Sequence, residues 1–321
     1  MRGTRLKVGT RGSPLALAQT RLVVERLKAA HPRLDFDLVP IRTSGDRITS
    51  AAALRRGGTG LFVKEIEKAL LARKVALAVH SMKDLPTELP EGLILGAVLE
   101  RADPSDVFIG RTPVPLEKLP AGSAVGTSSL RRQAILKSLY PHLRFVEMKG
   151  NLDTRLEKLR RAQSSLAGIV VAAAGLRRLY PQDGIAAQVL PRDVVVPAAG
   201  QGALGVEVRA VDGELREILR AVHHEITAAC VEAERELLRR LEGGCQVPLG
   251  AYAEPSDDGL LTLHACLAAP DGSRVLRASQ TGTLEDPRSV AEALETRLVS
   301  MGAREILAAL RPRGGARAPR R

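Results

Sequence analysis

Tryptophan is absent from this 321-residue chain, and four phenylalanines and three tyrosines are its whole aromatic inventory. That is too few aromatic faces for a platform that binds single-stranded nucleic acid by stacking bases. Cysteine is nearly as scarce: Cys230, Cys245 and Cys266 are an odd number with no close spacing, so neither a disulfide framework nor a zinc site is expected. No apolar run approaches the roughly 18 residues of a membrane span, and the start MRGTRLKVGT lacks the apolar stretch of a secretory signal. The expectation is therefore a cytoplasmic protein with reduced thiols, no metal and no membrane partner.

What the chain has is leucine, valine and alanine, with 45% apolar residues, and positive charge, with a net +12. Such a charge suggests an anionic partner. Five of those charges are arginines in the tail RPRGGARAPRR (311–321), which reads as disordered, and setting them aside leaves +7. With so few aromatics, a small polyanionic ligand fits better than nucleic acid, provided the cations occur at helix starts.

The segment LKVGTRGSPLALAQTRLVVERLKAA (6–30) reads as a strand that turns at Gly9 to Gly12 into a helix with Ser13 as N-cap and Pro14 in its first turn. Leu15, Ala18, Leu22 and Val23 mark its apolar face. Arg11 and Ser13 then stand beside the unpaired N–H groups of the first turn, where a carboxylate or phosphate would bind; a solvated arginine and a simple cap are the alternative. The design recurs in AVGTSSLRRQAILKSLY (124–140), where Val125-Gly126-Thr127 repeats Val8-Gly9-Thr10 and Ser128 or Ser129 caps the helix. Here Arg131 and Arg132 fall in the first turn, where cations oppose the helix dipole, so something anionic should compensate them. Two further joints place Lys149 before a Gly-Asn turn with Arg155 early in the next helix, and Arg177 and Arg178 after a buried strand ending at Gly175. In an open α/β sheet such joints lie at the carboxyl ends of strands and can face one cleft.

Against these cations stands one acid, Asp84, in the turn that follows the buried strand of VALAVHSMKDLPT (75–87); a helix cap or a partner for Lys83 is the alternative reading. His80 reads as a satisfied structural histidine. The stretch RRGGTGLFVKEIEKALL (55–71) lacks the Gly-Lys-Ser/Thr ending of a P-loop and reads as a mobile loop before an amphipathic helix. In LEGGCQVPLG (241–250), Cys245 lies between a Gly-Gly helix stop and a Val-Pro strand start. It is either a presented thiol or a small buried one.

Strands and helices alternate over about 1–100 and again over about 103–199, followed by a strand at 204–210 and a helix at 213–222. The remainder reads as a smaller α+β domain, with a long helix over roughly 224–242, strands near 249–254, 260–268 and 274–283, and a helix over roughly 288–310.

Nine stretches in order, TRGSPLALAQ, GLFVKEIEKALL, AVHSMKDLPT, GTSSLRRQ, GNLDTRL, AGLRRL, PAAGQGALGVEVR, HHEITA and LEGGCQVPLGAYAE, resemble porphobilinogen deaminase, also called hydroxymethylbilane synthase. The resemblance implies an α/β fold of two periplasmic-binding-protein-like (type II) lobes around a cleft, plus a small C-terminal α+β domain. Its division of this chain would be 1–101 with a return segment 202–220 for lobe 1, 102–201 for lobe 2, 221–310 for the C-terminal domain and 311–321 for the tail. It implies a cytoplasmic, monomeric transferase of tetrapyrrole biosynthesis that acts on porphobilinogen and has no nucleic-acid or membrane partner.

By the same resemblance Cys245 carries a dipyrromethane cofactor through a thioether. Four porphobilinogen units lose ammonia in turn and are joined head to tail, and water releases hydroxymethylbilane. Asp84 matches the carboxylate that stabilises the azafulvenium cation left by ammonia. Lys83, Ser129, Arg131, Arg132 and Arg155 match cofactor-binding positions. Arg11, Ser13, Lys149, Arg155 and Arg178 match positions that bind substrate carboxylates. Lys149 replaces an arginine common in the family, Thr59 a lysine, and Leu166-Ala167-Gly168 lacks a usual acidic residue.

Overall fold

The computed structural model describes residues 5–47, 59–182, 184–241 and 247–310. Strands β1 (Arg5–Arg11), β2 (Asp35–Ile41), β3 (Leu77–Ser81) and β4 (Leu93–Val98) come first, then β5 (Asp106–Gly110), β6 (Ala124–Gly126), β7 (Arg144–Val146), β8 (Leu166–Ala172) and β9 (Gln188–Leu190). They are followed by β10 (Leu204–Arg209), which returns to the first group, and by β11 (Leu249–Pro255), β12 (Leu260–Ala268) and β13 (Val275–Thr283).

The two five-stranded sheets share one plan. Their orders are β2-β1-β3-β10-β4 and β7-β6-β8-β5-β9. In the first, β1 is parallel to β2 and β3, and β10 is antiparallel to β3 and β4. In the second, β6 is parallel to β7 and β8, and β5 is antiparallel to β8 and β9. Val8-Gly9-Thr10 and Val125-Gly126-Thr127 therefore occupy equivalent strands, and the short sequence repeat marks a real structural one. In each lobe the antiparallel strand is the one reached by crossing from the other lobe, over 99–105 into β5 and over 191–203 into β10.

Helices α1 (Pro14–Ala30), the single turn α2 (Ser44–Arg47), α3 (Lys64–Leu71), α4 (Leu130–Leu139), α5 (Leu152–Arg160), α6 (Ala173–Leu179) and α7 (Gly213–Arg220) cover these sheets. The stripe of α1 that is buried is Gln19, Thr20, Val23, Val24 and Leu27, rotated from the face that the aliphatic residues alone predict. Thr20 explains part of the rotation: its hydroxyl donates to Ala16 O at 2.8 Å and shares a hydrogen bond with the Thr10 hydroxyl at 2.7 Å, so a polar residue is satisfied inside. Val8, Leu77, Val79, Val206 and Val208 from the sheet pack with Val23 and Leu27 to form the core of this lobe.

The last unit sets α8 (Glu225–Arg240) and α9 (Pro287–Ser300) against the antiparallel sheet β11-β12-β13 around Leu237, Leu261, Leu263 and Leu294. The single helix expected over 288–310 is two, because Gly302 takes φ 97° after Met301 and ends α9 before α10 (Ala303–Leu310) begins. Another correction concerns Gly175. The strand before it ends at Ala172, and Gly175 lies inside α6, where a Cβ would stand 3.5 Å from Leu15 Cδ2 of α1.

Both crossings are tied to α8 by one buried carboxylate. Glu234 accepts Nη1 and Nη2 of Arg101 from the first crossing, the Gly200 N–H from the second and the Ala253 N–H from β11, each at 2.7 Å. Gly200 is at φ 70° and a Cβ there would lie 2.7 Å from Met82 Cβ, which accounts for a glycine at that point.

Candidate active site

A cleft lined by residues of both lobes lies between the two sheets. The first lobe contributes Arg11 and Ser13 from the β1–α1 joint, and Lys83 and Asp84 from the 3-10 turn Met82–Asp84 after β3. The second lobe contributes Ala172, Gly175 and Arg178 from the β8–α6 joint. Among the described lining residues Asp84 is the one acid, facing three cations.

The two serine caps form as the residue types predict. The Ala16 N–H donates to Ser13 Oγ at 3.3 Å, and the Arg132 N–H to Ser129 Oγ at 3.4 Å. Ser128 instead donates to Met148 O. Arg177 and Arg178 part company: Arg177 pairs with Asp103 at 3.0 Å on the surface, while Arg178 lines the cleft and donates through Nη2 to Gly202 O at 2.6 Å.

The anion that compensates Arg131 and Arg132 belongs to the chain itself. Asp106, fully buried, accepts Arg131 Nη2 at 2.7 Å on one oxygen, and Arg132 Nε at 3.0 Å and Nη2 at 2.7 Å on the other. Burial works to raise its pKa, yet the two guanidinium groups and a Gln201 amide hydrogen bond hold the carboxyl well below the usual range. One carboxylate against two arginines leaves a net positive charge. Gln201 links this group to the first lobe: its Oε1 accepts Arg132 Nη2 at 3.3 Å and Lys83 Nζ at 3.5 Å.

The cations are partly buried. Burial pushes the Lys83 ammonium down to about 8, with Asp84 opposing the shift and Arg132 adding to it. Burial also lowers Arg155 to about 10, with Arg132 adding to the shift and Asp84 opposing it, and lowers Arg178 to about 10. Both arginines stay charged at neutral pH. Arg155 is thus within electrostatic reach of Asp84, and its Nε donates to Gly150 O at 2.9 Å. Lys149, the residue before that glycine, is exposed and is not among the residues lining the cleft.

Burial raises the Cys230 thiol to about 12, and Cys266 is raised for the same reason, so both are poor nucleophiles. Cys245, the glycine-rich stretch 48–58 and the tail 311–321 lie outside the described residues. Thr59 opens the 3-10 turn Thr59–Phe62. His80 is paired with buried Glu207 at 2.9 Å, as its structural reading requires, and also borders the cleft. The described residues contain no cluster of His, Cys, Asp or Glu suited to a metal, and no helix long and apolar enough to cross a membrane.

Three contributors escaped sequence reasoning. Asp106 opens an otherwise apolar strand, an available signal, since a buried acid needs a cationic partner. Gln201 carries no comparable signal. Phe62, over whose ring the Arg11 guanidinium lies at 4.2 Å, is one of only four phenylalanines and follows a glycine turn.

A family model described as porphobilinogen deaminase, dipyromethane cofactor binding domain, matches residues 6–217, and one described as porphobilinogen deaminase, C-terminal domain, matches 228–299. The chain belongs to the porphobilinogen deaminase family. A porphobilinogen deaminase of Desulforudis audaxviator is 50% identical over 304 residues, covering 95% of this chain and 97% of that protein. That of Staphylococcus carnosus is 46% identical over 306 residues, covering 95% and 98%. Among solved structures, the methionine-binding protein MetQ overlays with a TM-score of 0.42 at 13% identity, over 72% of this chain and 96% of that one. The two-lobed architecture rests on the strand orders and the family rather than on that overlay. Belonging to this family makes the first two units a dipyrromethane-binding domain.

The residues present fit such a group. Its pyrroles carry acetate and propionate side chains, and the cleft offers Arg11, Lys83 and Arg178 with one opposing carboxylate lining it, while partly buried Arg155 stands within electrostatic reach of that carboxylate. Arg131 Nε is buried without a hydrogen-bond partner among the described residues, a donor left over for an anion.

Proposed function

We propose that this chain is a hydroxymethylbilane synthase: a transferase that removes ammonia from porphobilinogen, joins four units head to tail and releases the linear product with water. The observation that carries the reading is Asp84, the one carboxylate among the described residues lining a cleft that also presents Arg11, Lys83 and Arg178. When bound through Cys245, the dipyrromethane supplies the free pyrrole end onto which units are added.

Asp84 is assigned the catalytic role. As the carbon–nitrogen bond of porphobilinogen breaks and ammonia leaves, positive charge spreads over the methylene carbon and the pyrrole ring. A carboxylate fixed beside that ring accepts its N–H hydrogen bond and stabilises the charge where it develops. Lys83, Ser129, Arg131, Arg132 and Arg155 are assigned to the cofactor carboxylates. Arg11, Ser13, Lys149, Arg155 and Arg178 are assigned to those of the incoming unit. Arginine suits this task because its planar fork meets a carboxylate through two parallel bonds. Each unit added brings two more negative charges, which the excess of cations accommodates. A cytoplasmic monomer is the proposed form, and the free buried thiols Cys230 and Cys266 accord with a reducing compartment.

The test is intact mass and peptide mapping of the purified protein, with an acidic aldehyde colour reaction for pyrroles. A dipyrromethane adduct on Cys245, absent from Cys245→Ser together with turnover, is expected. Active protein with Cys245 unmodified would overturn the assignment. Alanine at Cys230 or Cys266 should leave the adduct in place.

A further inference from the structure

Asp84 is aimed by the backbone on either side of it, and the two sides are held by different parts of the molecule. On the upstream side the Met82 N–H donates to Ala203 O at 3.1 Å, and the Leu85 N–H closes the 3-10 turn on Met82 O at 3.3 Å. On the downstream side, Leu85, Pro86 and Thr87 present three successive carbonyls, and Pro86 has no N–H of its own with which to pair. One guanidinium takes all three: Arg235 donates through Nη1 to Leu85 O at 3.0 Å, and through Nη2 to Pro86 O at 2.5 Å and Thr87 O at 3.2 Å.

Arg235 lies on α8, in the C-terminal unit, about 150 positions further along the chain. Val231 is one helical turn before it on the same face, and is buried in one cluster with Leu85 and Met82. The turn bearing Asp84 is thus seated on α8 by apolar packing and pinned there by charge-assisted hydrogen bonds. The neighbouring Glu234 grips both crossings, so a single turn of α8 fixes the crossings and the Asp84 loop together. The same helix ends at Arg240, five residues before Cys245.

We propose that Arg235 is a positioning residue for the reaction: by holding the three carbonyls after Asp84, the C-terminal unit sets the aim of the carboxylate that stabilises developing positive charge. This rests on the assignment of Asp84 made above. Arg235 touches neither substrate nor cofactor in this scheme. Its effect on the rate passes through Asp84, and misplacing a catalytic group by about 1 Å is sufficient to cost up to roughly a hundredfold in rate.

The experiment is a double-mutant cycle on cofactor-loaded protein, with loading verified by intact mass and turnover of porphobilinogen measured for wild type, Arg235→Gln, Asp84→Asn and the pair. Arg235→Gln should lower kcat by roughly ten- to a hundredfold with KM little changed, because only the charge-stabilising geometry is lost. Arg235→Lys should recover part of the rate, since an ammonium still donates to carbonyls, and it replaces the glutamine variant in the cycle if that one does not fold. In the Asp84→Asn background either change at Arg235 should cost nothing further. An equal loss in both backgrounds, or a rise in KM at unchanged kcat, would overturn the proposal by showing an ordinary structural tie. Near-normal turnover by Asp84→Asn alone would instead overturn the assignment of Asp84, and this inference with it.

Discussion

Asp106→Asn removes the one negative charge between two buried guanidinium groups while keeping the side-chain volume. In the wild-type fold that carboxylate makes three charge-assisted hydrogen bonds to Arg131 and Arg132 and a fourth to the Gln201 amide. Deleting one partner of a buried ionic group leaves uncompensated charge in a low-dielectric interior, a loss of about 3–5 kcal/mol. At about 2–4 °C per kcal/mol, the transition of the unit containing β5 and α4 should fall by roughly 6–20 °C. With no tryptophan to report unfolding, calorimetry or far-ultraviolet circular dichroism on cofactor-free protein is the assay. The pH dependence gives a second reading. The folded carboxyl is held below its ordinary value, so its contribution is complete above the unfolded pKa of about 3.9 and is lost as pH falls below that value. Wild type should therefore lose its advantage over Asp106→Asn on acidification below about pH 4. Loading with the polycarboxylate cofactor should restore part of the variant's stability, because it brings anions to the same arginines. An Asp106→Asn protein within about 1 kcal/mol of wild type at pH 7 would refute the reasoning, since two buried guanidinium groups would then be tolerated without their partner.

Three further outcomes are expected. Asp84→Asn in folded, cofactor-loaded protein should lower turnover by at least about a hundredfold, as read from steady-state release of ammonia; near-normal rates would remove Asp84 from the mechanism. Lys83, pushed by burial down to about 8 from its usual 10.5, binds fewer protons folded than unfolded between those values, so wild type should gain stability relative to Lys83→Met as pH rises from 8 to 10.5. A flat difference in unfolding midpoint over that range would show that the ammonium is not desolvated. Lys149→Met should slow chain elongation and leave partly elongated species visible by intact mass, whereas Lys149→Arg should be tolerated; because Lys149 is exposed, neither change should move stability by more than about 1 kcal/mol. Wild-type progression by Lys149→Met would mark it as a solvated surface charge.

Local chemistry made part of this protein legible in its sequence. Ser13 and Ser129 cap helices because a short hydroxyl side chain before an apolar periodic run has a first-turn N–H to accept. Val8-Gly9-Thr10 and Val125-Gly126-Thr127 identified equivalent strands because the same strand-to-helix turn needs the same small residues. Arginine in a first helical turn announced a missing anion, and Asp84 stood out as the acid among cations, both by charge alone.

What the sequence could not supply depends on which distant segments meet. That Asp106 is the chain's own partner for Arg131 and Arg132 follows from placing β5 beside β8, with which it pairs only after the chain has crossed between lobes. Gln201 joins Lys83 to Arg132 because the return crossing passes between the sheets, and no local pattern marks a glutamine for that place. Arg177 and Arg178 are indistinguishable as neighbours in a basic run. The helical rotation of about 100° between them sends one to surface Asp103 and the other into the cleft. Glu234 and Arg235 read as ordinary charges on an amphipathic helix until α8 is packed on the two crossings and on the Asp84 turn. Sequence determined which groups are present and which local turns present them. Tertiary structure decided their partners, because a buried charge takes its role from whatever the fold brings within a few ångströms of it.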